Sequence, residues 1–300
     1  MRPLPEPPDQ RVASPYHELS SIFHLIDLAD EITCRPAQSF GLSCTGQGLE
    51  RLPLEKNLAW KAAQAFATTT GLKLPALHIH IEKHIPSGAG LAGGSTDAAA
   101  VLLLLARACG ADRGDGMNCQ LQQIAPELGA DVAFFLAASA ACLMGGRGDT
   151  LLTSLPPAAG VPVAIAWDPS APVSTPRVYQ AFEQHQQPID AAGEAALGAA
   201  LECADIEQLA RHLYNNLSAA AFAVSPAAFT VYKFLEGAPQ SLATALSGSG
   251  GASFAFCASE VDRDGLVADA LATGFAAQAV KLTGQTLSAQ LTGNQEVGKK

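Results

Sequence analysis

The clearest pattern along the chain is a strict alternation of apolar and polar residues over residues 77–82, which read LHIHIE. A period of two predicts a half-buried strand. Residues 57–68 instead carry apolar side chains at helical spacing, which predicts an amphipathic helix. Residues 98–106 are apolar on every side, so the helix predicted for residues 95–109 is expected to be central and buried.

The remaining segments predict a mixture of strands and helices. Two neighbouring strands, or a strand and a turn, are predicted within residues 16–34. Further helices are predicted at residues 117–127, 176–184, 192–201, 206–213, 226–236 and 261–274, and further strands at residues 161–167, 243–246 and 252–257. This mixture indicates an α+β protein. The proline-rich segment 156–162 is a candidate boundary between a domain at residues 1–157 and a second at residues 158–290, with residues 291–300 as a frayed tail.

Composition and charge narrow the class of protein. Of the 300 residues, 48% are hydrophobic and 15% are charged, which is typical of a packed globular protein. The formal net charge of −10 argues against nonspecific nucleic-acid binding. The seven cysteines are scattered and form no CxxC pair, which favours free thiols over a disulfide framework or a zinc site.

The apolar stretches give no sign of a membrane-spanning or secreted protein. The longest apolar stretches are shorter than a membrane-spanning helix, and the N-terminal residues have no apolar signal-peptide core. Together with the free thiols and the net charge, this favours a cytoplasmic protein without a membrane or nucleic-acid partner. We expect a monomer or a weak homodimer.

Residues 86–97 read PSGAGLAGGSTD and are the strongest candidate for a chemical site. Four glycines within seven residues let the backbone approach a ligand closely. The segment leads into a predicted helix, whose free N–H groups and dipole favour a bound phosphate. Ser95 and Thr96 are candidates to cap that helix, and their hydroxyls are also candidates to contact a phosphate or Mg²⁺.

Three phosphate-binding motifs compete for this segment. The Walker A pattern is nearly met, but Gly94 stands where the lysine is required. The dinucleotide pattern GxGxxG is met literally, yet no second strand ending in an acidic residue follows at the expected distance. A protein-kinase loop requires HRD and DFG segments, and the sequence contains neither.

The whole segment resembles a fourth pattern, PxGxGLGGGSSDAA, the ATP-binding motif of the GHMP kinases. It departs from that motif at Ala92 and Thr96, both small residues. Residues 128–135 (LGADVAFF) resemble the GADVPFF stretch of the same superfamily, and residues 247–251 (SGSGG) resemble its third motif. The resemblance implies a two-domain α+β kinase, with an N-terminal domain like ribosomal protein S5 domain 2 and a ferredoxin-like C-terminal domain. It also implies that ATP is held by Pro86, Ser87, Gly88, Ala89, Gly90, Leu91, Ala92, Gly93, Gly94, Ser95 and Thr96.

Further segments are similar to one branch of the superfamily, which phosphorylates a cytidyl-linked methylerythritol in the non-mevalonate isoprenoid pathway. These segments lie at residues 15–32, 145–149, 173–179 and 215–218, and the similarity extends over roughly residues 15–285. The implied reaction is ATP-dependent phosphorylation of the 2-hydroxyl of 4-diphosphocytidyl-2-C-methylerythritol. Another GHMP kinase, such as a homoserine kinase, and a nucleotide-binding relative without catalysis are the alternatives.

The resemblance also implies roles for individual residues. Asp131 is the candidate general base that accepts the proton of the substrate hydroxyl; a helix-capping or ion-paired aspartate is the alternative. Tyr16 and His17 match the residues that meet the cytosine ring. Gly248 and Ser249 are candidate substrate-binding residues in the third motif. Mg²⁺ is the expected metal, with Ser95 or Thr96 as its candidate ligand.

One expected feature has no counterpart in the sequence. Kinases of this branch begin with a strand that reads roughly PAKVNL and carries a lysine near the acceptor hydroxyl. The first lysine here is Lys56. Either the printed start is internal, or the lysine has been lost or relocated, with Lys83 as a candidate by its proximity in sequence. The pair His78 and His80 shares a strand face, and we interpret these residues as solvated or interdomain rather than metal-binding.

Overall fold

The structure is a computed structural model that describes residues 19–46, 53–111, 115–183 and 191–290. The elements of the first half are β1 (Ser21–His24), β2 (Glu31–Pro36), β3 (Gly41–Thr45), α1 (Leu58–Thr70), β4 (Leu77–Glu82), α2 (Gly93–Ala108), α3 (Asp115–Leu128), α4 (Val132–Phe135), β5 (Ala141–Gly145) and β6 (Thr150–Leu155). Those of the second half are β7 (Pro162–Trp167), α5 (Thr175–Phe182), α6 (Ala191–Cys203), α7 (Ile206–His212), α8 (Ser218–Val224), α9 (Pro226–Gly237), β8 (Ser241–Leu246), β9 (Ala252–Cys257), α10 (Glu260–Thr273) and β10 (Ala276–Lys281).

Two three-stranded sheets build the first half. The first has the order β1-β5-β6 and is antiparallel throughout. In the second, of order β2-β4-β3, β4 pairs antiparallel with β2 and parallel with β3. Their core surrounds α2, which contributes Leu102 and Leu105, both fully buried. Although α2 is as apolar as predicted, no helix in the described part of the chain has the length and hydropathy needed to cross a bilayer.

Helix α1 shows how local sequence sets the limits of an element. Asn57 caps its N-terminus, because the Asn57 side-chain oxygen accepts a hydrogen bond from the Ala59 N–H at 2.8 Å. Gly71 follows its last residue in the left-handed conformation, with φ of 70°. The buried face carries alanines beside Phe66, and these small residues let α1 pack closely against α2.

The second half forms one antiparallel sheet of order β10-β7-β9-β8. Helices α9 and α10 lie on one face, where Leu235 and Leu266 are fully buried. Leu201 of α6 and Leu209 of α7 are buried in a cluster on the other face. With helical crossovers between β7 and β8 and between β9 and β10, this order is the split βαβ arrangement of ferredoxin-like domains. The predicted α+β class and two-part architecture are confirmed.

The two halves are joined by segments far apart in sequence. The Thr283 N–H donates to the Leu25 carbonyl at 3.0 Å, and the Lys281 N–H donates to the Asp27 carboxylate at 2.8 Å. A buried cluster combines residues of both halves and includes Ala89 from the glycine-rich loop. The loop therefore lies at the junction of the halves.

Most predicted elements are present, with shifted ends. Strand β4 spans the predicted residues, whereas α2 begins at Gly93 instead of Ser95. The two strands predicted within residues 16–34 are present as β1 and β2. They are not neighbours in a sheet: β1 pairs with β5, and β2 pairs with β4. The sequence pattern misses β3, α4, β5, β6, α8 and β10, which have between four and seven residues. Such short segments contain too few repeats of either period to be recognised.

Candidate active site

The glycine-rich loop lines a partly open cavity of about 220 Å³. Its lining residues are Lys83, Ile85, Pro86, Ser87, Gly88, Gly90, Leu91, Ala92, Gly93 and Gly94. Of the predicted ATP-binding residues, Ala89, Ser95 and Thr96 are therefore outside the lining. Ala89 is instead buried in the junction between the halves. The backbone at Gly88 and Gly90 has φ of 74° and 78°, a region that favours glycine.

The N-terminus of α2 borders this cavity. No side chain caps this end of the helix. The capping position is Ala92, whose φ of 53° is left-handed, and its side chain cannot accept a hydrogen bond. The first N–H groups of the helix therefore remain available to a bound anion. The prediction that Ser95 and Thr96 cap the helix is wrong, because α2 begins two residues before Ser95. The Thr96 hydroxyl donates to the Ala92 carbonyl at 3.1 Å, and Ser95 is buried.

A second glycine-rich turn, residues 247–251 between β8 and β9, packs directly against the first loop. The Ser247 hydroxyl donates to the Gly90 carbonyl at 3.0 Å, and the Ala252 N–H donates to the Ala89 carbonyl at 2.7 Å. A Cβ at Gly90 would lie only 2.5 Å from the Gly250 carbonyl oxygen. The two turns are therefore close enough that neither tolerates a side chain at their contact.

The candidate substrate residues Gly248 and Ser249 lie in this second turn. Gly248 has φ of 53°, and the Ser249 hydroxyl lies 2.7 Å from the Thr175 hydroxyl at the start of α5. Tyr16 and His17 lie outside the described residues.

Asp131 lies in the turn between α3 and α4. This turn rests on the first turn of α2, since a Cβ at Gly129 would be 3.5 Å from the Ser95 hydroxyl oxygen. Burial raises the pKa of the Asp131 carboxyl. Asp131 precedes α4 but does not cap it, and within the described residues its carboxylate forms no ion pair. The capping interpretation of Asp131 is therefore wrong.

Helix α5 brings Tyr179 close to Asp131 from the other half of the chain. Burial raises the pKa of the Tyr179 phenol, and the negative charge of Asp131 raises it further. The sequence indicates no individual role for Tyr179. This residue belongs to the segment 173–179, which is identified only by its resemblance to one branch of the family.

A buried ionic cluster lies beneath the glycine loop. The Lys83 ammonium donates to the Asp97 carboxylate at 2.6 Å and also to the Asp30 carboxylate. The second Asp30 oxygen accepts hydrogen bonds from the His84 and Ile85 N–H groups at 2.6 and 2.8 Å. The three charged side chains are at most 6% exposed. This cluster ties the strand before the loop to the helix after it.

The cluster carries two carboxylates and one ammonium group, so its charges do not balance when all three are ionised. Burial raises the pKa of Asp97 to about 7, against the opposing effect of the Lys83 ammonium. One oxygen of Asp97 is buried with no hydrogen-bond partner in the described residues. Lys83 lines the cavity, as a relocated lysine would, but both carboxylates already hold its ammonium group.

The two histidines of β4 make hydrogen bonds to a neighbouring strand. His78 Nε2 and His80 Nδ1 lie 2.8 and 2.9 Å from the Ser43 hydroxyl of β3. No group of three or more metal-ligating side chains occurs among the residues that the structure describes. These contacts support a structural role for both histidines.

The cavity, the uncapped helix and the nearby carboxylate together suit the transfer of a phosphoryl group from a nucleotide, the chemistry of an ATP-dependent small-molecule kinase. Comparison with known proteins agrees. Residues 57–146 match the family model described as the GHMP kinases N terminal domain. The chain belongs to the GHMP kinase family.

Similarity to individual members extends over most of the chain. A 4-diphosphocytidyl-2-C-methyl-D-erythritol kinase of Caulobacter vibrioides is 36% identical over 256 residues, which cover 84% of this chain and 85% of that protein. A solved 4-(cytidine 5'-diphospho)-2C-methyl-D-erythritol kinase structure is 33% identical, with a TM-score of 0.69 over 90% of this chain and 92% of that one. A solved homoserine kinase of Cytophaga hutchinsonii is 18% identical, with a TM-score of 0.65 over 91% and 97% of the two chains. This last similarity shows a shared fold only.

Proposed function

We propose that this kinase transfers the γ-phosphoryl group of ATP to the 2-hydroxyl of 4-diphosphocytidyl-2-C-methyl-D-erythritol, a step in isoprenoid precursor biosynthesis. The main support for phosphoryl transfer is the position of the Asp131 turn, which lies against the first turn of α2. The first residues of α2 line the loop cavity. The substrate is inferred from the relatives that bear this activity in their names and cover most of the chain.

The residues of the site divide the work of phosphoryl transfer. The N–H groups at the start of α2 and the backbone of residues 86–94 hold the triphosphate, and the helix dipole favours its charge. Asp131 accepts the proton of the acceptor hydroxyl as that oxygen attacks the phosphorus atom. The site contributes chiefly by positioning the reactants and by electrostatic stabilisation, as is general for this reaction.

Magnesium fits the donor atoms at the start of α2. The Ser95 hydroxyl faces the Asp131 turn, and hydroxyl and phosphate oxygens are the hard ligands that Mg²⁺ prefers. Ser95 suits this role better than Thr96, whose hydroxyl already donates to the Ala92 carbonyl. When bound, Mg²⁺ supplies positive charge that offsets the charge of the transferring phosphoryl group.

We assign the cytidine end of the substrate to Tyr16 and His17, by their resemblance to the residues with that role in this branch of the family. Gly248 and Ser249 are the candidates for contact with the rest of the substrate. The acidic net charge of −10 supports an enzyme without a nucleic-acid partner. All seven cysteines are free thiols, which suits a reducing cytoplasm. We expect a monomer or a weak homodimer.

The substrate assignment is tested by a coupled assay of ADP release. With ATP, Mg²⁺ and 4-diphosphocytidyl-2-C-methyl-D-erythritol, we expect ADP release that depends on the cytidyl compound and yields its 2-phosphate. Homoserine in place of that substrate should leave ADP release at the background rate. ADP release with homoserine but not with the cytidyl compound would assign the chain to the other kinase. ATP binding without ADP release from any acceptor would indicate a relative without catalysis.

The position of the nucleotide is tested by Gly90→Ala. The added methyl group requires a left-handed alanine and meets the Gly250 carbonyl oxygen at 2.5 Å, so either the loop or the turn must move. We expect ATP affinity to fall by about tenfold, because the clash displaces the loop backbone that would contact the phosphates. Gly110→Ala is the matched control, because Gly110 also has a positive φ of 68° but has open space around it. ATP affinity equal to that of the wild type in Gly90→Ala would place the nucleotide elsewhere.

A further inference from the structure

The second glycine turn joins the paired strands β8 and β9, and beyond the bond from the Ser247 N–H to the Ala252 carbonyl at its base it has little regular structure of its own. Three of its five residues have positive φ, with 53° at Gly248, 109° at Gly250 and 102° at Gly251. Glycines carry no side chains that could pack and restrict them. The turn makes one internal backbone hydrogen bond, from the Gly250 N–H to the Ser247 carbonyl at 2.9 Å. Its conformation therefore depends on groups outside it.

Asn215, between α7 and α8, supplies such a group. Its amide nitrogen donates to the Leu246 carbonyl at 2.9 Å and to the Gly248 carbonyl at 2.7 Å. Its amide oxygen accepts a hydrogen bond from the Leu217 N–H at 2.9 Å. Both amide hydrogens and the oxygen are thus used, and the oxygen's bond fixes the orientation of the amide group. Asn215 therefore fixes two carbonyl groups, one immediately before the turn and one within it.

The turn also contacts the first glycine-rich loop, so the position of the turn affects the position of the loop. The Ser247 hydroxyl donates to the Gly90 carbonyl at 3.0 Å. A Cβ at Gly251 would lie 2.6 Å from the Gly88 carbonyl oxygen, so any displacement of the turn is felt at the loop backbone. Asn215 itself does not line the cavity. It can affect a ligand in that cavity only through the turn.

We propose that Asn215 is a positioning residue for the nucleotide loop, which it aligns through the turn at residues 247–251. This inference rests on the proposed nucleotide site in residues 86–94. An aspartate at this position has the same shape and can still accept the Leu217 hydrogen bond. However, it has no hydrogens to donate and brings a negative charge against two carbonyl oxygens. Asn215→Asp therefore removes the two bonds to the turn and keeps the third.

The first measurement is the affinity of Asn215→Asp for a non-hydrolysable ATP analogue, by calorimetry well below the melting temperature of each variant. We expect about tenfold weaker binding, from the loss of two hydrogen bonds that order the turn. Asn216→Asp is the matched control, since it makes the same change one residue further on and its side chain makes no described bond to the turn. It should bind the analogue as the wild type does.

The second measurement tests the route through the turn. Ser247→Ala removes the hydroxyl that donates to the Gly90 carbonyl. If Asn215 acts through the turn, the double variant should bind the analogue no more than about twofold more weakly than Asn215→Asp alone. Independent effects that multiply in the double variant would overturn the proposal, as would Asn215→Asp binding with wild-type affinity.

Two further variants keep the outcome decisive. If Asn215→Asp does not fold, the uncharged Asn215→Ala takes its place in both measurements. Gly90→Ala separates the two proposals. If Gly90→Ala weakens binding of the analogue and Asn215→Asp does not, only the role of Asn215 is refuted. If neither variant weakens binding, the nucleotide site itself is misplaced.

Discussion

Replacement of Asp131 by asparagine is expected to lower kcat by about 10²–10⁴-fold, the usual contribution of a general base. The affinity for ATP should change little, because Asp131 is not among the residues that line the loop cavity. The fold should also persist, since the carboxylate neither caps α4 nor forms an ion pair within the described residues. Steady-state kinetics with the cytidyl substrate, together with a melting curve, measure all three quantities.

The dependence of kcat on pH provides a second readout for Asp131. A general base acts when it is deprotonated, so kcat should rise with pH through the pKa of this carboxyl. Because burial raises that pKa, the acid limb should lie at higher pH than for an exposed aspartate. Asp131→Asn should lose the limb together with the activity, and any residual rate should be flat over the same pH range.

Asp269→Asn is the control for these measurements, because Asp269 lies exposed on α10 in the ferredoxin-like half. It should retain both the rate and the pH profile of the wild type. The assignment of Asp131 fails if Asp131→Asn keeps more than about a tenth of the wild-type kcat, since even a modest general base contributes more.

The sequence predicts the elements whose pattern is long and regular. The alternation in residues 77–82 and the apolar run in residues 98–106 correspond to β4 and α2. Strand β10 was missed because AAQAVK has no clear alternation, and its place at the sheet edge beside β7 follows only from tertiary pairing. The ferredoxin-like order could therefore be expected from resemblance but not from periodicity.

Part of the candidate site is likewise predictable from the sequence, and part of it is not. The glycine loop is recognisable because its conformation demands glycine at particular positions, as the φ of 78° at Gly90 shows. The contacts around it join distant residues: Lys83 pairs with Asp30, 53 positions earlier, and Ser247 donates to Gly90, 157 positions earlier. Side-chain chemistry at such separations leaves no local pattern, so only the folded chain reveals these pairs.

Lys83→Met should be among the most destabilising single substitutions in the chain. It leaves the Asp30 and Asp97 carboxylates buried without the ammonium group that both contact. Breaking a buried ion pair by removing one partner costs about 3–5 kcal/mol of the free energy of unfolding. The matched control is Lys233→Met, whose exposed pair with Glu236 on α9 should contribute less than about 1 kcal/mol. Urea denaturation measures both, and equal costs would contradict the buried cluster.

The two aspartates of this cluster should respond unequally to replacement by asparagine. Asp30 accepts hydrogen bonds from Lys83 and from the His84 and Ile85 N–H groups, so Asp30→Asn exchanges an acceptor for a donor that faces other donors. We expect a cost of about 2–3 kcal/mol or more.

Asp97 accepts only from Lys83, and its second oxygen is already without a partner in the described residues. Either substitution leaves one carboxylate beside the Lys83 ammonium, so the difference between them lies in the hydrogen bonds, and Asp97→Asn should cost less than about 1 kcal/mol. If Asp97→Asn costs as much as Asp30→Asn, the uneven hydrogen bonding of the two aspartates does not govern the stability of the cluster.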